Sequence, residues 1–68
     1  MRNRLPEYRK QFNLSQDKLA EMLGVTRQTI ISIEKGKYNP SLPLAIRIAR
    51  IFHAAVEEIF IIDDDEEE

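Results

Sequence analysis

A chain of 68 residues with three prolines, two glycines and no cysteine has room for one small domain and little beyond its own core, with no disulfide framework and no thiolate metal site. The opening MRNRLPEYR lacks the apolar stretch of a signal peptide and no run approaches the roughly twenty apolar residues that span a bilayer, so a soluble, cytoplasmic chain is expected. The formal charge of −2 hides an asymmetry: six of the twelve acidic residues stand at 63–68, leaving ten Lys and Arg against six Asp and Glu in residues 1–62, a basic body suited to a polyanion.

In chain order, Leu5, Tyr8 and Phe12 recur at helical spacing, which predicts a first helix from about Arg4 to Phe12 with Asn3 as its cap. Pro6 falls in the first turn, where its missing N–H has no partner to lose. Asn13 and Leu14 lead out. Ser15 then has the chemistry of an N-cap, Asp17 suits the positive end of a second helix running to Leu23, and Leu19, Ala20 and Leu23 form its buried stripe. Gly24 permits positive φ and a sharp turn, with Val25 plugging it.

Thr26 caps a third helix in which Ile30 and Ile33 point inward, Lys35 suits the negative end and Gly36 terminates it. Two helices over 16–35 with so short a connection have the geometry of a helix-turn-helix unit, and Ala20 supplies the small side chain that close crossing requires. After Asn39 and Pro40, Ser41 caps a fourth helix through about Phe52. Leu42, Ala45, Ile46, Ile48, Ala49 and Phe52 share one face, Leu44 and Ile51 extend it, and Arg47 and Arg50 face away. This belt is wider than one core requires, which suggests contact with a second subunit. His53, the sole histidine, reads as a solvated helix-end residue. A short fifth helix around Val56 to Ile59 runs into the apolar residues Ile59, Phe60, Ile61 and Ile62, which suit a core plug followed by a short strand.

Arg9, Leu14, Ser15, Gln16, Leu19, Ala20, Gly24, Val25, Ile30, Ile33, Glu34, Gly36, Pro40, Ser41, Ile48, Ala49, Ile59 and Phe60 stand at spacings that resemble the Cro and phage-repressor class of helix-turn-helix regulators, also called the xenobiotic-response-element type. The resemblance covers nearly the whole chain. It implies an all-α, compact five-helix domain like that of lambda repressor over 1–62, with a short C-terminal strand at a dimer interface as an added option. It also implies a sequence-specific regulator of double-stranded DNA, a repressor binding a palindromic operator as a homodimer. An antitoxin or a restriction-modification controller would carry the same residues, and a protein-interaction module that had lost DNA binding would keep the fold.

In such a unit the second helix enters the major groove N-terminal end first. Arg27 can pair with guanine O6 and N7 and Gln28 with adenine N6 and N7, and Ser32, one turn beyond Gln28, shares the face of Gln28. Ile31 departs from the usual small or polar residue; contact with a thymine methyl and packing against the loop around Tyr38 are both open. Gln16 resembles the residue that touches a phosphate and braces Gln28. Thr26, Thr29, Lys35, Lys37, Tyr38 and Asn39 are candidate phosphate contacts. By the same resemblance, Arg9 and Glu34 form a structural ion pair.

Leu44, Ile51, Ile59, Phe60, Ile61 and Ile62 are the candidate dimer interface. The acidic residues 63–68 are expected to be a disordered, solubilising tail, able to fold over the basic face and weaken non-specific binding. No nucleophile with a base, glycine-rich phosphate loop or metal-ligand cluster occurs, so no enzyme activity, cofactor, metal or small-molecule ligand is expected.

Overall fold

A computed structural model describes residues 1–62; the expectations for 63–68 lie outside the described residues. The order is β1 (Arg2–Asn3), α1 (Leu5–Gln11), α2 (Gln16–Leu23), α3 (Arg27–Glu34), α4 (Leu42–Ile51), α5 (Val56–Ile59) and β2 (Phe60–Ile61). Five helices stand in the expected order, and the long ones start where small polar side chains satisfy otherwise orphan N–H groups. Ser15 Oγ accepts from Lys18 N, Thr26 Oγ1 from Thr29 N and Ser41 Oγ from Leu44 N. The fifth starts differently: the Glu58 carboxylate reaches back 2.7 Å to accept from Ala55 N–H.

Four helices end in one way. Asn13, Gly24, Gly36 and His53 have φ of +57°, +71°, +75° and +53°, and after each the next N–H returns to a carbonyl five residues back. These bonds are Leu14 N to Arg9 O, Val25 N to Ala20 O, Lys37 N to Ser32 O and Ala54 N to Ala49 O, all between 2.9 and 3.0 Å. This is the Schellman closure, in which a left-handed residue satisfies the last carbonyls of a helix. Leu14, Val25 and Ala54, each the residue after the turn, pack on the core. At the end of α3 that place belongs to the exposed Lys37.

The core is one cluster. Leu5, Leu19, Leu23, Ile30, Ile33, Ile48 and Ile59 are its fully buried side chains, with Ala20, Ala45, Ala49, Phe52 and Phe60 completing it. Ala20 is buried on α2, whose packing on α3 is the most extensive helix pairing among the described residues. Phe52 joins the core to α1: its ring stands 5.1 Å from Phe12 in an edge-to-face pair and 5.8 Å from Tyr8.

Several expectations are corrected. The first helix begins at Leu5 with Arg4 at the cap position, not Asn3. Asn3 instead bridges: Oδ1 accepts from Leu5 N at 3.1 Å while Nδ2 donates to Ile33 O at 2.8 Å, tying the N-terminus to α3. The fourth helix ends where expected, at Ile51 with Phe52 as its cap. Leu42 and Ile46, expected on the buried face, are 69% and 37% exposed, whereas Leu44 and Ile51, expected beyond it, are half-buried against the core. The wide belt wraps the helix because the core meets it from the Ala45, Ile48 and Ala49 side.

The C-terminal strand forms, but β2 pairs antiparallel with β1 of the same chain, Arg2 opposite Ile61 and Asn3 opposite Phe60. Ile59 and Phe60, expected at a dimer interface, fill the core of the single chain at 0% and 8% exposure. Ile61 is half-buried and Ile62 exposed. Among the described residues no helix is long and apolar enough to cross a membrane.

Candidate nucleic-acid interface

The site is built around α3, and Glu34 at its C-terminal end is fixed by three hydrogen bonds from two side chains. Arg9 on α1 donates from Nε to Glu34 Oε2 at 2.7 Å and from Nη2 to Oε1 at 3.3 Å, while its Nη1 donates to the Leu14 carbonyl at 3.0 Å. Gln16, the first residue of α2, donates from Nε2 to Glu34 Oε1 at 3.0 Å. With Asn3 on the Ile33 carbonyl, this end of α3 is tied to β1, α1, the α1–α2 connection and α2.

The Arg9 and Glu34 side chains are 13% and 8% exposed. A desolvated pair of this kind survives because nearly every donor and acceptor is used. Among the described residues no buried side-chain nitrogen or oxygen lacks a hydrogen-bond partner. The expected Arg9–Glu34 pair is therefore present. Gln16 braces Glu34, however, and not Gln28 as expected: its amide is held by the carboxylate, and Gln28 finds its partner within its own helix.

The other end of α3 is open. Arg27 and Gln28 are both exposed. Gln28 Nε2 donates to Ser32 Oγ at 3.3 Å, one turn along, so these two candidates do share a face. Thr26 and Thr29 hydroxyls pair at 3.0 Å beside the helix start. A shallow recess of about 260 Å³ is lined by Thr26, Gln28, Thr29, Ser32 and Tyr38, bringing candidate base contacts and candidate phosphate contacts to one concavity.

Arg27 lies outside that recess, with Nε 3.7 Å from Asp17 Oδ1 at the start of α2. Ile31 is half-buried and does not line the recess beside Tyr38. Lys35, Lys37 and Asn39 are exposed beyond the end of α3. The lysines form no ion pair among the described residues and stand as available cations.

Two residues at this site were not singled out as site candidates from the sequence. Asp17 was assigned only to the positive end of its helix; the tight Gly24 turn is what carries it next to Arg27. Asn3 carried the signal of a polar side chain before a helix, but its bond to Ile33 depends on the sheet that places it there.

Comparison with known proteins identifies the family. The helix-turn-helix family pattern matches residues 6–59. The chain is 59% identical over 66 residues to an uncharacterized HTH-type transcriptional regulator of Methanocaldococcus jannaschii, covering 97% of this chain and 100% of that one. It is 56% identical over 66 residues to a protein of the same description from Archaeoglobus fulgidus, covering 97% and 93% of the two chains. A Bacillus subtilis protein named as an uncharacterized HTH-type transcriptional regulator, YgzD, is 46% identical over 65 residues, covering 96% and 98%. The braced third helix, the glycine turn before it and these end-to-end similarities place the chain in the helix-turn-helix family of the Cro and phage-repressor type, a family of regulators and not of enzymes.

Proposed function

We propose that this chain is a sequence-specific double-stranded DNA-binding transcription regulator that acts as a repressor by covering promoter sequence. The observation that carries the reading is the contrast within α3: Arg27 and Gln28 are exposed at its N-terminal end while Glu34 locks its C-terminal end. That is the arrangement needed to hold side chains against base edges in a major groove. The names of the relatives, HTH-type transcriptional regulators, support it.

Arg27 and Gln28 read bases, with Ser32 and Ile31 beside them on the helix. Thr26, Thr29, Lys35, Lys37, Tyr38 and Asn39 set register on phosphates, and Gln16 adds a phosphate contact from the start of α2. Selection of bound sequences from random duplex DNA, repeated with Arg27→Ala and Gln28→Ala, tests this. A motif that loses preference at one base pair in each variant is the expected result; no enriched motif, or an unchanged motif in both variants, rejects the reading.

One module covers only a few base pairs, so the regulator acts as a homodimer on a palindrome with half-sites about one helical turn apart. The single chain leaves Leu42, Ile46 and Ile62 exposed, and Leu42 and Ile62 line an apolar recess of about 350 Å³ together with Met1, Val56 and Phe60. A two-fold interface covering this patch, with Ile61, Leu44 and Ile51 at its margin, gives the pairing a self-complementary surface. Sedimentation of the wild type at twice the monomer mass, with Ile62→Asp sedimenting as a monomer, is expected.

A further inference from the structure

The contact between Asp17 and Arg27 has no part in the scaffold or in the readout described above. Its atoms lie 3.7 Å apart and its side chains are 76% and 60% exposed, so water screens the pair and folding gains little from it. An exposed carboxylate next to Gln16, the proposed phosphate contact at the start of α2, also opposes the approach of a polyanion. Its position relative to the guanidinium is the informative feature. Arginine presents five N–H donors in a planar fork. Asp17 approaches the Nε atom, and among the described residues no hydrogen bond engages either Nη nitrogen. The Nη pair is thus left clear, with the spacing that matches O6 and N7 of guanine.

We propose that Asp17 is a positioning residue for base readout, holding Arg27 by its Nε edge so that the Nη edge is presented to a guanine. The inference rests on the DNA-binding reading. An arginine on an exposed helix surface otherwise samples many rotamers, and ordering it on binding costs about two- to tenfold in affinity. Asp17 offsets part of that ordering before DNA arrives by favouring the orientation that suits guanine. A carboxylate acting through charge alone would instead change affinity for every sequence alike.

The test uses the full chain and duplexes derived from its selected motif, changed one base pair at a time, with binding followed by fluorescence anisotropy. Wild type, Asp17→Ala, Asp17→Glu, Arg27→Ala and the Asp17→Ala/Arg27→Ala double variant are compared. Asp17→Ala is expected to lower guanine preference by about two- to fivefold, the range an exposed ion pair can supply, at the base pair that Arg27→Ala makes indifferent, to leave the Gln28-dependent base pair unchanged, and to strengthen binding to random DNA. Asp17→Glu restores part of the preference, and the double variant shows no more loss than Arg27→Ala. An equal change at every position, or intact guanine preference in Asp17→Ala, overturns the proposal while leaving the DNA reading in place. Failure of the wild type to enrich any motif overturns both.

Discussion

The two ends of α3 are built on opposite principles. At Glu34 the contacts run from 2.7 to 3.3 Å, are largely desolvated and come from other elements: Arg9 from α1, Gln16 from α2 and, one residue earlier, Asn3 from β1. At Arg27 and Gln28 the contacts are exposed and few, at 3.7 Å to Asp17 on α2 and 3.3 Å to Ser32 one turn along. A helix of two turns has little stability of its own and takes its orientation from packing. Bracing one end fixes the axis of α3, and side chains at the other end remain free to exchange water for bases. Rigidity and adaptability are thereby assigned to different residues of the same eight-residue helix.

Removing one partner from the braced end is the most damaging way to test this division. Glu34→Ala leaves the Arg9 guanidinium and the Gln16 amide without their acceptor in a poorly solvated site, and a loss of about 3 kcal/mol in unfolding free energy is expected by urea denaturation. Replacing both Arg9 and Glu34 with apolar residues of similar size should cost less than Glu34→Ala alone, since no charge is then orphaned. Arg27→Ala should do the reverse. Its unfolding free energy stays within about 0.5 kcal/mol of wild type, whereas guanine discrimination at one base pair falls by about 1–3 kcal/mol in competition binding. If Arg27→Ala destabilises the fold as much as Glu34→Ala does, the two ends are not separable.

Asn3 tests whether the bracing extends to the N-terminal strand. Asn3→Ala removes the donor to the Ile33 carbonyl and the acceptor for Leu5 N, and a net hydrogen bond contributes about 1 kcal/mol, so a loss of about 1–2 kcal/mol is expected. The readout should follow: with the end of α3 less firmly held, affinity for the selected duplex falls while the preferred bases stay the same. Hydrogen exchange at Leu5 N–H, faster in the variant than in wild type, checks that the lost bond is the cause.

Much of the scaffold could be read from the chain because it is specified locally. Ser15, Thr26 and Ser41 cap helices as expected, and Gly24 and Gly36 turn the chain with positive φ. The same turn at Asn13 and His53 escaped the reading, since neither is glycine, although both belong to the residue types that enter the left-handed region most readily. Only one strand of the sheet had a signal, the apolar run that ends in β2: Arg2 and Asn3 are too few to show a period, and their partners lie at the other end of the chain. The breadth of the α4 belt was visible, but which edge of it met the core was a matter of tertiary packing. In the candidate site, residue types followed from chemistry and resemblance. Their partners did not: the resemblance pairs Gln16 with Gln28, whereas Glu34 offers it a charged acceptor, and no spacing in the chain marks the Asp17–Arg27 contact.

The smallest expected effect is also the most discriminating for the reading face. Ser32 was expected to contact a base, but in the free chain its hydroxyl accepts from Gln28 Nε2. Both roles are open to it on the same face, and they differ in where a deletion is felt. A residue that orders Gln28 lets the amide keep its carbonyl oxygen and second N–H for adenine N6 and N7, so Ser32→Ala weakens adenine preference at the Gln28 base pair by about threefold or less and touches no other position. A residue that reads for itself relaxes a separate base pair. Because the Gln28–Ser32 bond is exposed, the unfolding free energy changes by less than about 0.5 kcal/mol in either case, and the position of the relaxed base pair alone decides whether the open end of α3 reads with two side chains or three.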